Sequence, residues 1–513
     1  MANVFRSNEV SLFGTFYPIH GPVKPQQAAG WPEKRVFGDY SKDDELITSS
    51  WIIDDQRGGI LVKDMDEKTQ GNRCWFSTCQ LGIAGHIILP ELITDRLNPN
   101  LNEVTLDIIV EYSAFIYCVF DSTKVFKWDE TTATWIGTAV GPPITPLRTL
   151  IGTATDAMVH QGLVQGSSLS LFFACGVNFE RLTSTTWKTG NELVNIVGTA
   201  WAAATAYVVG DQRTAVTPNN YVYEVTVAGT SHATTEPTWP TTIDVTVTDG
   251  TVTWKCQTYL GARYFVEWDG KLFKVDNNVQ LSYTSNKGVS WTNSALSTLA
   301  AGSFTSLFLG RNAAGDEIVY LGTTQGLYAL DFTNAKWVKT GLTIPYHTDA
   351  CRGATSWRDA MYIPVGLAIH RYVPGSGEQA GVSLMGLDQD DGLPPGYQGK
   401  IVKLLPGLSY LFALVSGTIV NGSGVYRWDG KGWTVIGPNG AEAANIFKAG
   451  AISTAYSKYR LYYGMDIRLR HIDLPVTIQN PLQLTGATFD PGCTHDTPWF
   501  NANNAAVDKL AVR

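Results

Sequence analysis

Short apolar runs recur along this chain, rich in Val, Ile, Tyr, Phe and Trp, alternating with polar positions and ending at Gly, Asp or Asn. A period of two with turn residues at its borders predicts antiparallel strands joined by tight turns, not helices. VYRWDGKGWTVIG, Val425 to Gly437, is the clearest case: a strand, an Asp-Gly turn, and a second strand opened by Trp433. VFKWDETTATWIG (Val125 to Gly137) and LYALDFTNAKWVKTG (Leu327 to Gly341) repeat the phrase.

The tryptophan just past each turn serves as a ruler. Trp135, Trp187, Trp291, Trp337 and Trp433 follow one another at intervals of 52, 104, 46 and 96 residues. The interval of 96 is two periods with one marker missing near residue 385, where HRYVPGSGEQAGVSLM (His370 to Met385) reads as strand, Gly-rich turn and strand. The interval of 104 contains residues 199–258, whose character differs, and without them it is again one period. One more unit is expected near residue 480, after RLYYGMDIRLRHIDLPVTI (Arg460 to Ile478). Units of this length suit four-stranded propeller blades of roughly 40–50 residues. The expected fold is therefore all-β: a β-propeller of about seven four-stranded blades over 49–198 and 259–513, with a small β module inserted at 199–258. Each marker tryptophan is expected to wedge between adjacent sheets.

Residues 1–48 carry Pro18, Pro22, Pro25 and Pro32 and read as an extended N-terminal arm. SSWIIDD, GGILVKD and RCWFSTCQL, within 49–100, read as strands able to pair with the C-terminal part and latch the ring. AAVDKLAVR at residues 505–513 reads as another candidate closing strand.

Composition narrows the function. A net charge of −8 without a basic cluster argues against phosphate-backbone binding to nucleic acid. Seven scattered cysteines do not make a disulfide framework and read as small buried hydrophobes. The first residues lack the apolar core of a signal peptide, and no run approaches a membrane span, so no membrane insertion is expected.

The insert, Trp201 to Cys256, is dense in aromatic residues. Rings on a small β scaffold suit stacking on the apolar face of a pyranose, and equally suit the core of so small a module. Trp239, in EPTWP, is the ring expected to be exposed; Trp201, Tyr221 and Tyr223 complete the candidate carbohydrate-binding set. Trp201, Ala204 to Tyr207, Gly210-Asp211, Tyr221/Tyr223 and Glu236-Pro237 resemble the pattern of small chitin- and cellulose-binding modules. The chain departs from it at Glu224 to Val227, where that family places adjacent aromatics. AGTS, EPTWP and VTDGTVTW resemble modules embedded in bacteriophage structural proteins. Pro32 to Met65 resembles the opening of phage virion proteins that carry β-propellers. The resemblance implies a virion protein of the tail, assembled in the host cytoplasm, with other virion proteins and copies of itself as partners and a host cell-surface polysaccharide as a possible ligand. A propeller-type glycoside-degrading enzyme with an accessory module, and a purely structural neck or tail ring component, are the alternatives.

Candidate chemistry is sparse. YTSNKGVSW, Tyr283 to Trp291, is close to the Asp-box hairpin of sialidase-like propellers, with Asn286 in place of Asp; that box is structural and implies no catalytic residue. Asp388, Asp390 and Asp391 in GLDQDDGLPPG are candidate Ca²⁺ ligands, although their spacing is not that of an EF-hand and a solvated acidic turn is the plainer reading. His347, Asp349 and Cys351 are a second weak metal candidate. No phosphate loop, nucleophile elbow or paired-cysteine zinc site is present. The expectation is a protein without cofactor or catalytic activity.

Overall fold

The computed structural model describes 9–12, 15–18, 74, 76–77, 489, 495–496 and most of 92–476. Inside that last span it leaves out 97–98, 100–102, 139–143, 163–167, 195–199, 278–279, 296–303, 376–381, 385–386, 388–398, 418–422, 431, 438–446, 466 and 475. Asp388, Asp390, Asp391 and the C-terminal AAVDKLAVR lie outside the described residues.

The protein is a β-propeller. Its described residues form seven antiparallel sheets of the ring, and in six of them strands one to four pair in chain order. The first sheet runs Leu106–Tyr112, Phe115–Phe120, Lys124–Asp129 and Thr134–Ile136, with Arg148–Thr149 added beside the third strand. The second is Asp156–His160, Ser170–Ala174, Phe179–Thr183 and Thr186–Thr189. The third is Tyr264–Trp268, Lys271–Val275, Leu281–Thr284 and Thr292–Ala295. The fourth is Phe304–Arg311, Glu317–Thr323, Gly326–Asp331 and Lys336–Lys339, and the fifth is Thr355–Trp357, Ala360–Val365, Ala368–Tyr372 and Val382–Leu384. The sixth is Gly399–Pro406, Leu411–Gly417, Gly424–Trp428 and Trp433–Gly437.

The seventh sheet closes the circle. Phe447–Ser453, Arg460–Met465 and Arg468–Asp473 supply three strands, and Thr94–Arg96, from the N-terminal side of the chain, supplies the fourth. The outer strand expected near residue 480 thus comes from the other end of the sequence. That arrangement joins both ends of the ring by backbone hydrogen bonds, with Thr94–Arg96 as the outer edge of the seventh sheet. Phe76–Ser77 pairs with His495–Asp496, a second join between N- and C-terminal segments. In the arm, Glu9–Leu12 and Thr15–Pro18 form an antiparallel ribbon, where extended chain was expected.

Apolar faces explain the ring. Each sheet buries both faces against its neighbours, and seven apolar clusters lie between successive pairs. In the cluster that completes the circle, Ala449, Tyr462 and Leu469 of the seventh sheet meet Leu106, Phe126 and Trp128 of the first. The marker tryptophans stand just before, or in the first two positions of, fourth strands and enter these clusters. Trp135 joins the seventh/first cluster, Trp187 the first/second, Trp291 the second/third, Trp337 the third/fourth and Trp433 the fifth/sixth. The two remaining junctions have Val382–Leu384 and Thr94–Arg96 as fourth strands, without tryptophan, which is why the ruler skips there.

The turns before these tryptophans are fixed by a side-chain acceptor. Asp129 accepts the N–H of Thr131 at 2.8 Å, Asp331 that of Asn334 at 3.1 Å and Asp429 that of Gly432 at 3.0 Å. An Asp here satisfies a backbone donor that the turn exposes. Where the chain continues toward the strand, Ala133 and Ala335 hold positive φ (52° and 48°), a local strain that the hairpin imposes.

Between the second and third sheets lies a separate four-stranded sheet in the order Gln212–Arg213, Tyr221–Val227, Val252–Tyr259 and Thr246–Asp249, with Ala206–Tyr207 pairing Gly229–Thr230 beside it. It has its own apolar core around Tyr223, Trp254 and Cys256.

Candidate functional site

The inserted sheet uses its aromatic rings as core. Trp201 is buried, and its indole N–H donates to Asp249 at 2.6 Å. Tyr223 is fully buried, donates its hydroxyl proton to the carbonyl of Pro240 at 3.0 Å and accepts from Asn219 at 2.7 Å. Tyr221 is half-buried and tilts against Tyr259. Trp239, expected to be exposed, is half-buried instead. Its ring stacks on Tyr223 at 4.1 Å between centroids, meets Trp254 edge-on at 5.6 Å, and donates its N–H to Glu236 at 2.7 Å. A module of this size has too few residues to bury a core without its rings, and that requirement wins over display. The module's exposed large apolar residues are valines, Val208 and Val209 foremost at 65% and 63%, and these offer no flat face to a sugar.

Removing the Trp239 ring is therefore expected to loosen the module. Trp239→Ala should lower its stability by about 2–3 kcal/mol, at the low end for an aromatic truncation because the ring is half-exposed. Thermal unfolding followed by tryptophan fluorescence reads this. Unchanged unfolding together with lost polysaccharide binding would instead make Trp239 a sugar platform.

The module is docked, not tethered. Gln212 clasps the backbone of Trp291, its amide donating to the Trp291 carbonyl at 3.0 Å and its oxygen accepting the Trp291 N–H at 3.1 Å. Asn220 accepts side-chain N–H groups of Asn178 and Asn191, both at 2.9 Å. Val222 enters the cluster between the second and third sheets. Where the chain returns to the propeller, the ammonium of fully buried Lys274 donates to the carbonyls of Tyr259 at 2.5 Å and Gly261 at 3.1 Å and lies over the Trp291 ring at 4.9 Å. Burial pushes the Lys274 ammonium down to about 8, with Asp276 opposing. Lys274, Gln212 and Asn220 were not singled out from the sequence. The available signal was a lysine inside the apolar strand KLFKV.

The Asp-box-like hairpin is a closed hydrogen-bond knot. Thr284 accepts the N–H groups of Asn286 (3.3 Å) and Gly288 (3.0 Å), while Asn286 accepts that of Ser290 at 2.9 Å and donates its amide to the Ser290 hydroxyl at 2.8 Å. Asn286 thus performs the turn-bracing role of the box aspartate. His347 is exposed and accepts the Asp349 N–H at 3.1 Å, Asp349 pairs with Arg352 (3.0 Å) and Lys400 (3.3 Å), and Cys351 is buried with its thiol pushed up to about 12 by desolvation. These three are not grouped to hold a metal, and two cations neutralise the Asp349 carboxylate. Among the described residues no group of His, Cys, Asp and Glu is placed to hold a metal. The five described cysteines are free and buried.

All first strands run in the same sense around the axis, so their starting ends share one mouth of the channel. The module leaves and rejoins the ring on that side, between the last strand of the second sheet and the first strand of the third. Charged groups gather there. Asp156 accepts the backbone N–H groups of Phe265 (2.8 Å) and Ala157 (2.9 Å), and burial pushes its carboxyl up to about 6. Tyr264, Arg263, Arg352 and Lys403 feel its charge or one another's.

No family matches the chain, and no curated protein matches it. Solved structures do align. A chain of the mitotic checkpoint complex is 12% identical with 75% of this chain and 96% of its own covered, at a TM-score of 0.44. YCF48 from Cyanidioschyzon merolae is 11% identical, with 74% and 98% covered and a TM-score of 0.39. The extracellular domain of BT4673, a putative one component system from B. thetaiotaomicron, is 11% identical at 0.44; 77% of this chain aligns with 42% of that one. Identities at this level speak to the fold alone, which here stands on the sheets and the clusters between them.

Proposed function

We propose that the chain is a non-catalytic structural protein of a bacteriophage tail, a rigid propeller scaffold that carries one docked β module on its mouth face. The observation that carries this reading is the double closure of the ring: Thr94–Arg96 pairs with Arg468–Asp473, and Phe76–Ser77 with His495–Asp496. A wheel whose two ends are hydrogen-bonded together resists unravelling and proteolysis outside a cell, as a particle component must. The Pro32 to Met65 run, which resembles the opening of propeller-bearing virion proteins, supports the same reading. The module fits as a rigid recognition or packing surface. Its rings Trp201, Tyr221, Tyr223 and Trp239 serve its core, so attachment to a host surface rests on loops of the mouth face.

Antibodies raised against the purified chain should decorate tails of intact particles in electron micrographs. Absence of label on every particle, together with release of reducing ends from envelope polysaccharide by the purified chain, would replace this reading with a glycan-degrading enzyme.

A further inference from the structure

On the face opposite the module, where first strands end, a cleft of about 130 Å³ opens between the fourth and fifth sheets. The fourth sheet lines it with Arg311 and Glu317, the fifth with Arg358 and Asp359, and buried Ala360 and Met361 add apolar surface. Arg311 and Glu317 stand opposite each other in the ladder, a placement that favours their pairing. Yet among the described residues neither side chain has an ion-pair or hydrogen-bond partner. On the other wall the Arg358 guanidinium lies over the Trp357 ring at 4.2 Å and donates to the Ser409 carbonyl at 3.2 Å. Those contacts fix its plane and leave most of its N–H donors uncommitted among the described residues. Asp359 is met by Arg371 at 3.3 Å. The walls are braced without a ligand. Asn312 accepts the N–H groups of Ala314 and Asp316, both at 2.9 Å, and so holds the hairpin between Arg311 and Glu317. Gly375, at φ +90°, lets the chain just past the lining residue Pro374 lie against that hairpin: an added Cβ would stand 3.3 Å from the Ala313 Cα.

The charges of the lining, Arg311 and Arg358 against Glu317 and Asp359, sum to zero. With Arg371 and with Asp316, which Asn312 also holds at 3.2 Å, the balance stays even. An even balance made of groups that do not pair with each other suits a ligand carrying both signs better than a simple ion. We propose that this cleft binds a compact zwitterion, a free α-amino acid with a small side chain. Its carboxylate meets the planar donor forks of Arg311 and Arg358, its ammonium meets Glu317, and its side chain lies on Ala360 and Met361. A cavity of about 150 Å³ holds benzene, so a cleft of this size encloses about six non-hydrogen atoms, as many as alanine has. The cleft is separate from the module and from the mouth, so its ligand does not bear on the structural role proposed above.

Ligand-observed NMR titration of the full chain with L-alanine tests this, beside N-acetyl-L-alanine, which lacks the ammonium, and L-alaninamide, which lacks the carboxylate. L-Alanine should bind saturably with Kd of about 1 mM or below, within reach of so few atoms. Each analogue should bind about tenfold more weakly, the loss expected for one charge-assisted contact. Arg311→Gln should weaken L-alanine by about tenfold and leave L-alaninamide unchanged, whereas Glu317→Gln should weaken L-alanine as much and leave N-acetyl-L-alanine unchanged. Both residues are exposed, so both variants should melt with the parent chain. Lys339→Met, on the exposed fourth strand of the fourth sheet, should change nothing. No saturable binding of L-alanine, analogues that bind as tightly as the amino acid, or undiminished binding in either variant would overturn the proposal.

Discussion

Glu130→Gln should unlatch the ring. Glu130 lies at the turn before the fourth strand of the first sheet, and its carboxylate is nearly inaccessible to solvent. It accepts the Tyr462 hydroxyl at 3.0 Å, pairs with Arg460 at 3.0 Å and Arg96 at 3.6 Å, and stands 3.7 Å from His471. Arg460, Tyr462 and His471 belong to the seventh sheet, and Arg96 to the N-terminal strand that completes it. One buried carboxylate thus ties together three pieces of chain where the circle closes. Burial works against its charge, but His471, Arg460 and Tyr462 outweigh that and hold it below the usual range. Without the charge, Arg460 keeps Asp473 at 2.5 Å, whereas Arg96 keeps only its position over the Trp128 ring at 5.3 Å. Breaking a buried ion network from one side costs about 3–5 kcal/mol. The variant should unfold at clearly lower temperature, and limited proteolysis should release the segment before residue 97 first. Equal melting and an unchanged digestion pattern would mean that the strand pairing alone closes the ring.

The same cluster sets a pH dependence. Burial and then the Arg460 charge push His471 down to about 4, against an unfolded value near 6.5. Between those values the unfolded chain holds the extra proton, so stability is complete above about pH 6.5 and falls as the pH drops toward 4, by on the order of 3 kcal/mol in all. Glu130 acts in the same direction at lower pH, since its depressed carboxyl loses its contribution on protonation.

The repeat was legible because its cause is local. A hairpin with Asp at the turn and Trp beyond it is written in consecutive residues, as at Trp428 to Trp433, and period-two alternation marks strands directly. Closure was legible only in part: RCWFSTCQL reads as a latch strand, and its Phe76–Ser77 pairs with His495–Asp496, but Thr94–Arg96 was not singled out. Thr94–Arg96 is three residues of ordinary composition, and its partner lies some 370 residues away, so pairing there depends on the finished ring. The Glu130 cluster has the same character: its members are Arg96, Arg460, Tyr462 and His471, and no spacing links them. In the module, the sequence showed how many rings there are but not where they point. Trp239 in a Pro-flanked turn reads as exposed, yet Tyr223, sixteen residues earlier, takes up its face. The mouth of the channel brings together single residues from first strands and the loops before them, each unremarkable alone, and only the common direction of the strands gathers them.

Trp291→Ala should have the largest effect among the marker tryptophans. Its side chain is 1% exposed, whereas Trp135, Trp187 and Trp337 are half-buried. It fills the cluster between the second and third sheets, meets Phe179 edge-on at 5.2 Å, and carries Lys274 over its face. Its backbone is the part that Gln212 clasps, so the residue belongs to the ring and to the docking of the module at once. Truncation of a buried tryptophan costs about 3–5 kcal/mol, the larger part from the cavity that rigid neighbouring sheets cannot fill. Lys274 also loses the ring beneath its buried charge, which adds to the cost. Trp337→Ala should cost about half as much, because its ring already touches solvent. Among the described residues the indole N–H of Trp291 has no hydrogen-bond partner. Its contribution is therefore packing, and Trp291→Phe should retain most of the stability, losing about 1–2 kcal/mol. Chemical denaturation of the three variants, with hydrogen exchange over residues 201–259, separates the two roles. The Ala variant should show both a lower midpoint and faster exchange across the module, and the Phe variant a small drop in midpoint with protection kept. A Phe variant as damaged as the Ala variant would mean that the shape of the indole, and not its bulk, fixes the module to the ring.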